Sequence, residues 1–529
     1  MTDFKKLLLA GTAIVAIGGV AVTATATPAY AIEIDNDQGD AGGDTATVGT
    51  TAIGAITGDA NNTDTLNIDL NGTDTTAGTD ATTQGINVSD TNDVESLGIV
   101  NSSTTAATLT LEQNAGGAAI VADASTDLDL FVGTEYDGST ASDTAVTLVV
   151  GGDITHGGTA GDISIQLGAG GTNANVLVLQ GDVDLEATGD VDMQGDNNVL
   201  RFAGSSAQTW TAGLIEGGNV DINQSVDFAA TTAMGGNTDI ETVTVAAGMV
   251  AEVNGDWTTD EDGTDFLLEG AAAEINVAST ATLTGSITAS TANTGVLDID
   301  AETSVVGSIG TATTAIGTVE TAEDFTLTVD ATTADVVYNA ASTEITDSET
   351  DDGLLFDTSG NDNAITVYSA ITTATADTGF VGTANEGTVT FEADLGEENT
   401  EIGLFMVGDA TNDSTVVTKG NIYATDTEIN DESTLTITGT NITVSGTIGG
   451  ANDGEGNLVV GDGTAAASVT FESEIGGTDL DALTISANAT ANVSNDVSVT
   501  AANAVDGLSI DGTLVVDSTG AAITVDSVD

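Results

Sequence analysis

Residues 468–485, SVTFESEIGGTDLDALTI, carry the pattern that most restricts the fold. A β-branched run ending in an aromatic (Val469, Thr470, Phe471) enters an acidic segment, turns at Gly476 and Gly477, and resumes alternation at Leu483, Thr484 and Ile485. The same order stands at Val226, Asp227 and Phe228 with Gly235 and Gly236, and at Val389, Thr390 and Phe391 with Gly396. A reduced copy is visible at Val305 and Val306 with Gly310. The valines at 226, 306, 389 and 469 are 80, 83 and 80 residues apart, and Val146, 80 residues before Val226, starts a weak fifth copy. A second mark keeps the beat upstream: TAGL at 211–214, TGSI at 284–287, SAI at 369–371 and SGTI at 445–448. Such a chain is a tandem array whose unit is nearly all strand and turn.

Within each run the period is two. In QGDVDLEATGDVD (180–192), Asp182, Asp184 and Glu186 fall on one face and Val183 and Leu185 on the other, which describes half-buried strands with an acidic outer side. No stretch shows a capped 3.6-residue apolar period, so the chain is expected to be all-β. Two architectures fit: a repetitive parallel β-helix or solenoid in which each repeat of about 80 residues spans several coils, and a string of β-sandwich modules of that size. Short, evenly spaced strands, glycine- and asparagine-rich turns and an interior of Val, Ile, Ala and Thr favour the solenoid. Sandwich modules usually bury a Trp or Tyr in every unit, and Trp210 and Trp257 are the only tryptophans here.

Three segments are predicted. Residues 1–31 read as a signal peptide: Lys5 and Lys6, an apolar run over 7–22, and Ala29-Tyr30-Ala31 with cleavage after Ala31. The run is shorter than the roughly 20 residues a membrane span needs. Residues 32–105 form an irregular acidic N-terminal segment, and 106–529 the β-repeat array. Removing 1–31 takes away the only proline, Pro28, together with Lys5 and Lys6, leaving Arg201 and Lys419 as the only basic residues. Against them stand all but Asp3 of 83 acidic residues.

That imbalance excludes classes of partner. Nucleic-acid affinity rests on Lys and Arg neutralising phosphates, and an anionic lipid surface is refused on the same grounds of sign. Self-repulsion at this density destabilises a compact state unless salt or divalent cations screen it, so a saline or cation-rich setting is expected. The absence of cysteine says nothing about compartment.

Catalytic residues are scarce. The single histidine, His156, sits in DITHGGTAG and reads as a solvent-exposed loop residue; Arg201 and Lys419 read as partners of neighbouring acids. No nucleophile–base set or phosphate loop stands out, and the chain is not expected to be an enzyme. Calcium is the better-supported chemistry, because hard cations take clustered carboxylates on flexible turns. Asp35, Asp37 and Asp40 share the spacing D-x-D-x-x-D with Asp260, Asp262 and Asp265, and both sets are candidate calcium ligands. Asp347, Glu349, Asp351 and Asp352 form a third cluster. None is an EF-hand, since Ala46 and Ala271 stand where the position-12 Glu belongs. Asn-x-Ser/Thr triplets, among them Asn101, arise by chance in a chain this rich in Asn and Thr.

The cadence SAQTWTAGLIEGGNVDI (206–222), followed by VDFAATTAMGGNTDIETVTV (226–245) and later VTFESEIGGTDLDALTI, resembles the β-strand-repeat exoproteins of Gram-negative bacteria. It is similar to the passenger regions of the rickettsial surface-antigen autotransporters and to surface-layer proteins, over roughly residues 195–500. The resemblance implies a surface-exposed coat or adhesive role. Those autotransporters end in an aromatic-rich membrane barrel, whereas this sequence ends GAAITVDSVD, so no membrane insertion is expected. The expected function is therefore structural: an exported, extracellular or cell-surface subunit that assembles with itself as a surface layer or coat. Calcium would bridge its carboxylates, and outer-membrane polysaccharide would be a further partner. The alternatives are a secreted adhesin or passenger binding host or matrix glycans and, third, a glycan-active β-helix enzyme, which needs only two carboxylates at a set separation.

Overall fold

The computed structural model describes residues 174–500 with breaks at 237, 261–264, 348 and 359–362, and shorter stretches on either side, the first at 32–33 and the last at 521–525. The signal segment with Ala31, and the candidate ligands Asp35, Asp37 and Asp40, lie outside the described residues. The described elements are all strands, joined by turns and bends. No helix among them is long and apolar enough to cross a membrane. The chain divides into two compact units, residues 1–186 and 187–529.

In the first unit three parallel ladders run side by side. Asp64–Asp69, Val94–Val100, Leu128–Val132 and Ile163–Leu167 form one. Thr75–Ala77, Ala107–Leu111, Val146–Val150 and Val176–Leu179 form the second. Ile86–Val88, Ala118–Ala122, Asp153–His156 and Val183–Asp184 form the third. Each coil gives one strand to each ladder before the chain moves up a level, which is a parallel β-solenoid. The pairing runs through the described strands of 32–105 as well as those beyond. Parallel stacking also rules out sandwich modules, whose sheets are antiparallel. Inward rows are apolar and sealed: Leu109 pairs with Leu148, and Leu97 with Leu130 and then Ile165, all with essentially no exposed surface.

His156 departs from its sequence reading. It ends the strand Asp153–His156 on the same inward parity as Ile154, is 8% exposed, and has Nδ1 3.5 Å from Glu186 Oε1. The glycine run that suggested a loop begins only at Gly157, after the strand has already fixed the direction of the imidazole. Asn101 is likewise buried. Its amide oxygen accepts from Gly72 N (2.9 Å), and its Nδ2 donates to Thr105 O (2.8 Å) and Thr144 Oγ1 (2.6 Å). It satisfies corner backbone groups that no ladder reaches.

The second unit repeats the three-faced coil with shorter corners. On one face Val220, Val243 and Phe266 are register partners at intervals of 23 residues. The 80-residue beat maps onto this coil in an unexpected way. Val226 is followed on its face by Ala251, Ile275 and Leu297, and the next strand, Thr303–Val306, lies on the next face. Val306 is followed by Asp330, Asp357 and Ala384, then by Thr388–Phe391 one face on. Val389 is followed by Val416, Leu435 and Leu458, then by Ala467–Phe471. Each sequence repeat is thus three coils plus one strand, and successive copies step around the solenoid.

The motif glycines explain themselves at this level. Gly396 and Gly476 have φ of +72° and +80°, and a Cβ on either would lie 2.1 Å from Tyr423 O or 1.9 Å from Ser498 O, on the next coil. Only a residue without a side chain fits there. Gly235 and Gly310 occupy the same conformation against Thr258 O and Asn339 O.

The few rings are concentrated inside. Phe202, Trp210, Phe228, Trp257 and Phe266 form a continuous buried series, with edge-to-face contacts of 5.2 Å (Phe202–Trp210), 5.4 Å (Phe202–Phe228) and 5.1 Å (Phe228–Trp257). Tyr338, Phe356, Phe391 and Phe405 form a second, at 5.4, 5.5 and 5.7 Å. Such pairs add about 0.5–1.5 kcal/mol each beyond area burial. Tyr338 keeps its hydroxyl 3.0 Å from Thr343 Oγ1, and burial raises its pKa well above the ordinary range.

Candidate cation-binding surface

The outer side of one face of the second unit is a column of carboxylates. Parallel register pairs Asp227 with Glu252, Glu252 with Asn276, Asn276 with Asp298, Asp298 with Glu320 and Glu320 with Glu344. Strands in a sheet are about 4.8 Å apart, so like charges are stacked one above another with a single amide among them. At about 5 Å two unit charges repel by about 1 kcal/mol in water and about 3 kcal/mol at an effective dielectric constant near 20.

The strain is readable in the acids. Asp298 is pushed up to about 6, first by partial burial, then by Asp300, Glu320 and Glu274; a hydrogen bond from Asn276 opposes the shift. Glu274 is raised by burial, Asp300 and Glu320. Asn276 Nδ2 donates to Asp300 Oδ2 at 3.0 Å. In the first unit Asp129 is raised by burial, Asp162 and Asp127.

The two basic residues among the described ones are already committed. Arg201 donates to Asp221 Oδ2 from Nε (3.0 Å) and a terminal nitrogen (2.7 Å), across directly paired strands. Lys419 Nζ lies 2.5 Å from Glu392 Oε1. Each pair forms as the sequence suggests, and neither reaches the column.

The predicted ligand sets fare differently. Asp260 donates its backbone N–H to Ile240 O (2.8 Å), while Asp265 is 2% exposed and accepts Ser286 N–H at 2.5 Å, holding a corner backbone group. Asp262 lies outside the described residues, so this set is not seen together. The third acidic cluster is drawn together. Asp347, Asp351 and Asp352 each present a carboxylate oxygen within 4.8 Å of the others. They occupy the corner between the strands Ala340–Ile345 and Gly353–Asp357. Glu349, its fourth sequence member, is not among the three; its backbone carbonyl accepts Gly379 N–H.

A cavity of about 350 Å³ is lined by Asp192, Gln194, Asp196, Thr238 and Glu241, with Met193 and glycines beside them. Gln194 Nε2 donates to Asp192 Oδ2 at 3.2 Å. Its lining offers carboxylates, amide and hydroxyl, without a basic group.

Ladder and outer column together define a parallel β-solenoid with an acidic exterior. No family model matches the chain, and no curated protein or solved structure matches it.

Proposed function

We propose that this chain is an exported structural protein of the cell surface, a self-assembling surface-layer or coat subunit whose copies are joined by divalent cations. The observation that carries the reading is the carboxylate column from Asp227 to Glu344, repeated charge on a repeating backbone, while the basic residues among the described ones pair with acids outside it. A parallel sheet face in continuous register suits lateral packing, and packing is opposed by like charge on both partners. Calcium, which takes 6–8 oxygen ligands in adaptable geometry, offsets that repulsion by drawing carboxylates from two chains into one shell. The same bridging would fasten the chain to acidic outer-membrane polysaccharide. Residues 1–31, read as a signal peptide, supply the route out of the cytoplasm.

The test is assembly itself. Purified protein given calcium forms ordered sheets or filaments by electron microscopy, and a chelator returns them to dispersed chains. A variant with Glu252→Gln, Glu320→Gln and Glu344→Gln keeps its circular dichroism spectrum and needs different calcium for assembly. Assemblies indifferent to a chelator at low salt would refute the reading, as would a dispersed protein that calcium never gathers.

A further inference from the structure

We propose that Asp347, Asp351 and Asp352 hold one calcium ion within a single chain, fastening a corner of the second unit. The site goes beyond the coat reading, since it uses no second copy and stands whether or not the chains assemble.

Its first support is geometric. Two oxygens bound to one ion at the calcium distance of about 2.4 Å are at most about 4.8 Å apart, and the three carboxylates meet that limit pairwise. The second is independent of proximity. Asp347 is 1% exposed, and neither of its carboxylate oxygens has a hydrogen-bond partner. A buried carboxylate normally finds donors or a cation. Here the groups it faces are two more carboxylates, which supply no proton and add repulsion. A cation resolves all three. Asp351 is exposed and gives the ion access to water, and Asp352 is half-buried. Asp352 Oδ1 already accepts from Thr326 Oγ1 at 3.1 Å, which fixes that side chain.

The ligand set is all oxygen, with no histidine or cysteine, so it selects a hard cation over zinc. The corner is held on both sides: Thr346 N donates to Thr321 O of the coil before (3.0 Å), while Gly379 N and Phe380 N, of the coil after, donate to Glu349 O (2.6 Å) and Asp352 O (3.0 Å). Binding therefore stiffens one corner whose backbone hydrogen bonds reach the coil on either side. Magnesium, which requires near-ideal octahedral geometry at shorter distances, suits so asymmetric a corner less well.

The experiment uses the full chain, dilute enough to sediment as a monomer, in about 0.5 M KCl, where screening over a few ångströms suppresses diffuse calcium condensation. Equilibrium dialysis with radioactive calcium compares the wild type with Asp351→Asn, an exposed change that leaves the interior intact, and with Asp347→Asn. The expected result is one calcium per wild-type chain that both variants lose or bind at least tenfold more weakly. Hydrogen exchange at the amides of Gly379 and Phe380 should slow with calcium in the wild type and not in Asp347→Asn. Magnesium should compete at least tenfold less well. Equal calcium binding by all three proteins, no change in exchange at those amides, or equal binding of magnesium would overturn the assignment. Failure of assembly alone would leave it intact, because binding is read on single chains.

Discussion

Asp298 and Glu320 are direct register partners on neighbouring parallel strands, and Glu320 is one of the charges that add to partial burial in raising Asp298 to about 6. The fold thus holds together, by backbone hydrogen bonds, two side chains that repel.

The pH dependence follows. With a folded pKa near 6 against an ordinary aspartate value of 3.8, Asp298 binds a proton more tightly in the native chain than in the unfolded one. Between about pH 4 and 6 the native state carries the extra proton, so stability falls as pH rises through this window and is greater in mild acid. Thermal melts followed by circular dichroism should give a higher midpoint at pH 5 than at pH 7.5. Asp298→Asn should raise the midpoint at pH 7.5 and flatten the difference. Added NaCl should narrow it by screening Asp300, Glu320 and Glu274. A midpoint that rises steadily from pH 5 to 7.5 would contradict this account.

Gly476 and Gly477 are adjacent and should respond in opposite ways. Alanine at 476 must take a left-handed φ and press its Cβ to 1.9 Å from Ser498 O, whereas alanine at 477 meets nothing within 4 Å. Gly476→Ala should destabilise by at least about 2 kcal/mol. Gly477→Ala should be neutral or stabilise by up to about 1 kcal/mol through the unfolded chain. Denaturant midpoints of the two variants provide the comparison.

Trp257 packs edge-on against Phe228 at 5.1 Å and stacks with Phe266 at 6.4 Å, and its indole Nε1 is buried without a partner. Trp257→Ala should cost about 3–5 kcal/mol by opening a cavity in the ring series. Trp257→Phe should cost distinctly less, since it keeps a ring and removes an unsatisfied donor. Urea unfolding of both variants measures the gap; equal losses would show that the indole is held by something other than packing.

The exposed ion pair Arg201–Asp221 should contribute little despite its 2.7 Å contact, because both side chains are partly in water. Arg201→Gln should shift stability by less than about 1 kcal/mol in the same assay.

Much of this was legible in the residues. Alternation in runs such as Val146–Val150, the glycines of the 80-residue beat and the lack of helical periodicity specified short strands stacked in a repeat. Each of these signals is local, and a strand's parity or a glycine's left-handed φ is set within a few positions. Arg201 and Lys419 were readable for the same reason, as scarce cations among abundant acids. His156 was misread because composition after the residue, at Gly157, outweighed the strand parity before it.

The sequence by itself determined that strands form, which side chains face inward, and that charge covers the outside, because periodicity and composition act along the chain. Only the tertiary structure decided the length of a coil, and with it which residues meet across coils. Corner lengths add up to set register, so the 80-residue beat is three coils and one face. Register in turn aligned Asp298 with Glu320, and the fold of one corner brought Asp347 to Asp351 and Asp352 while assigning Asp265 to a backbone amide.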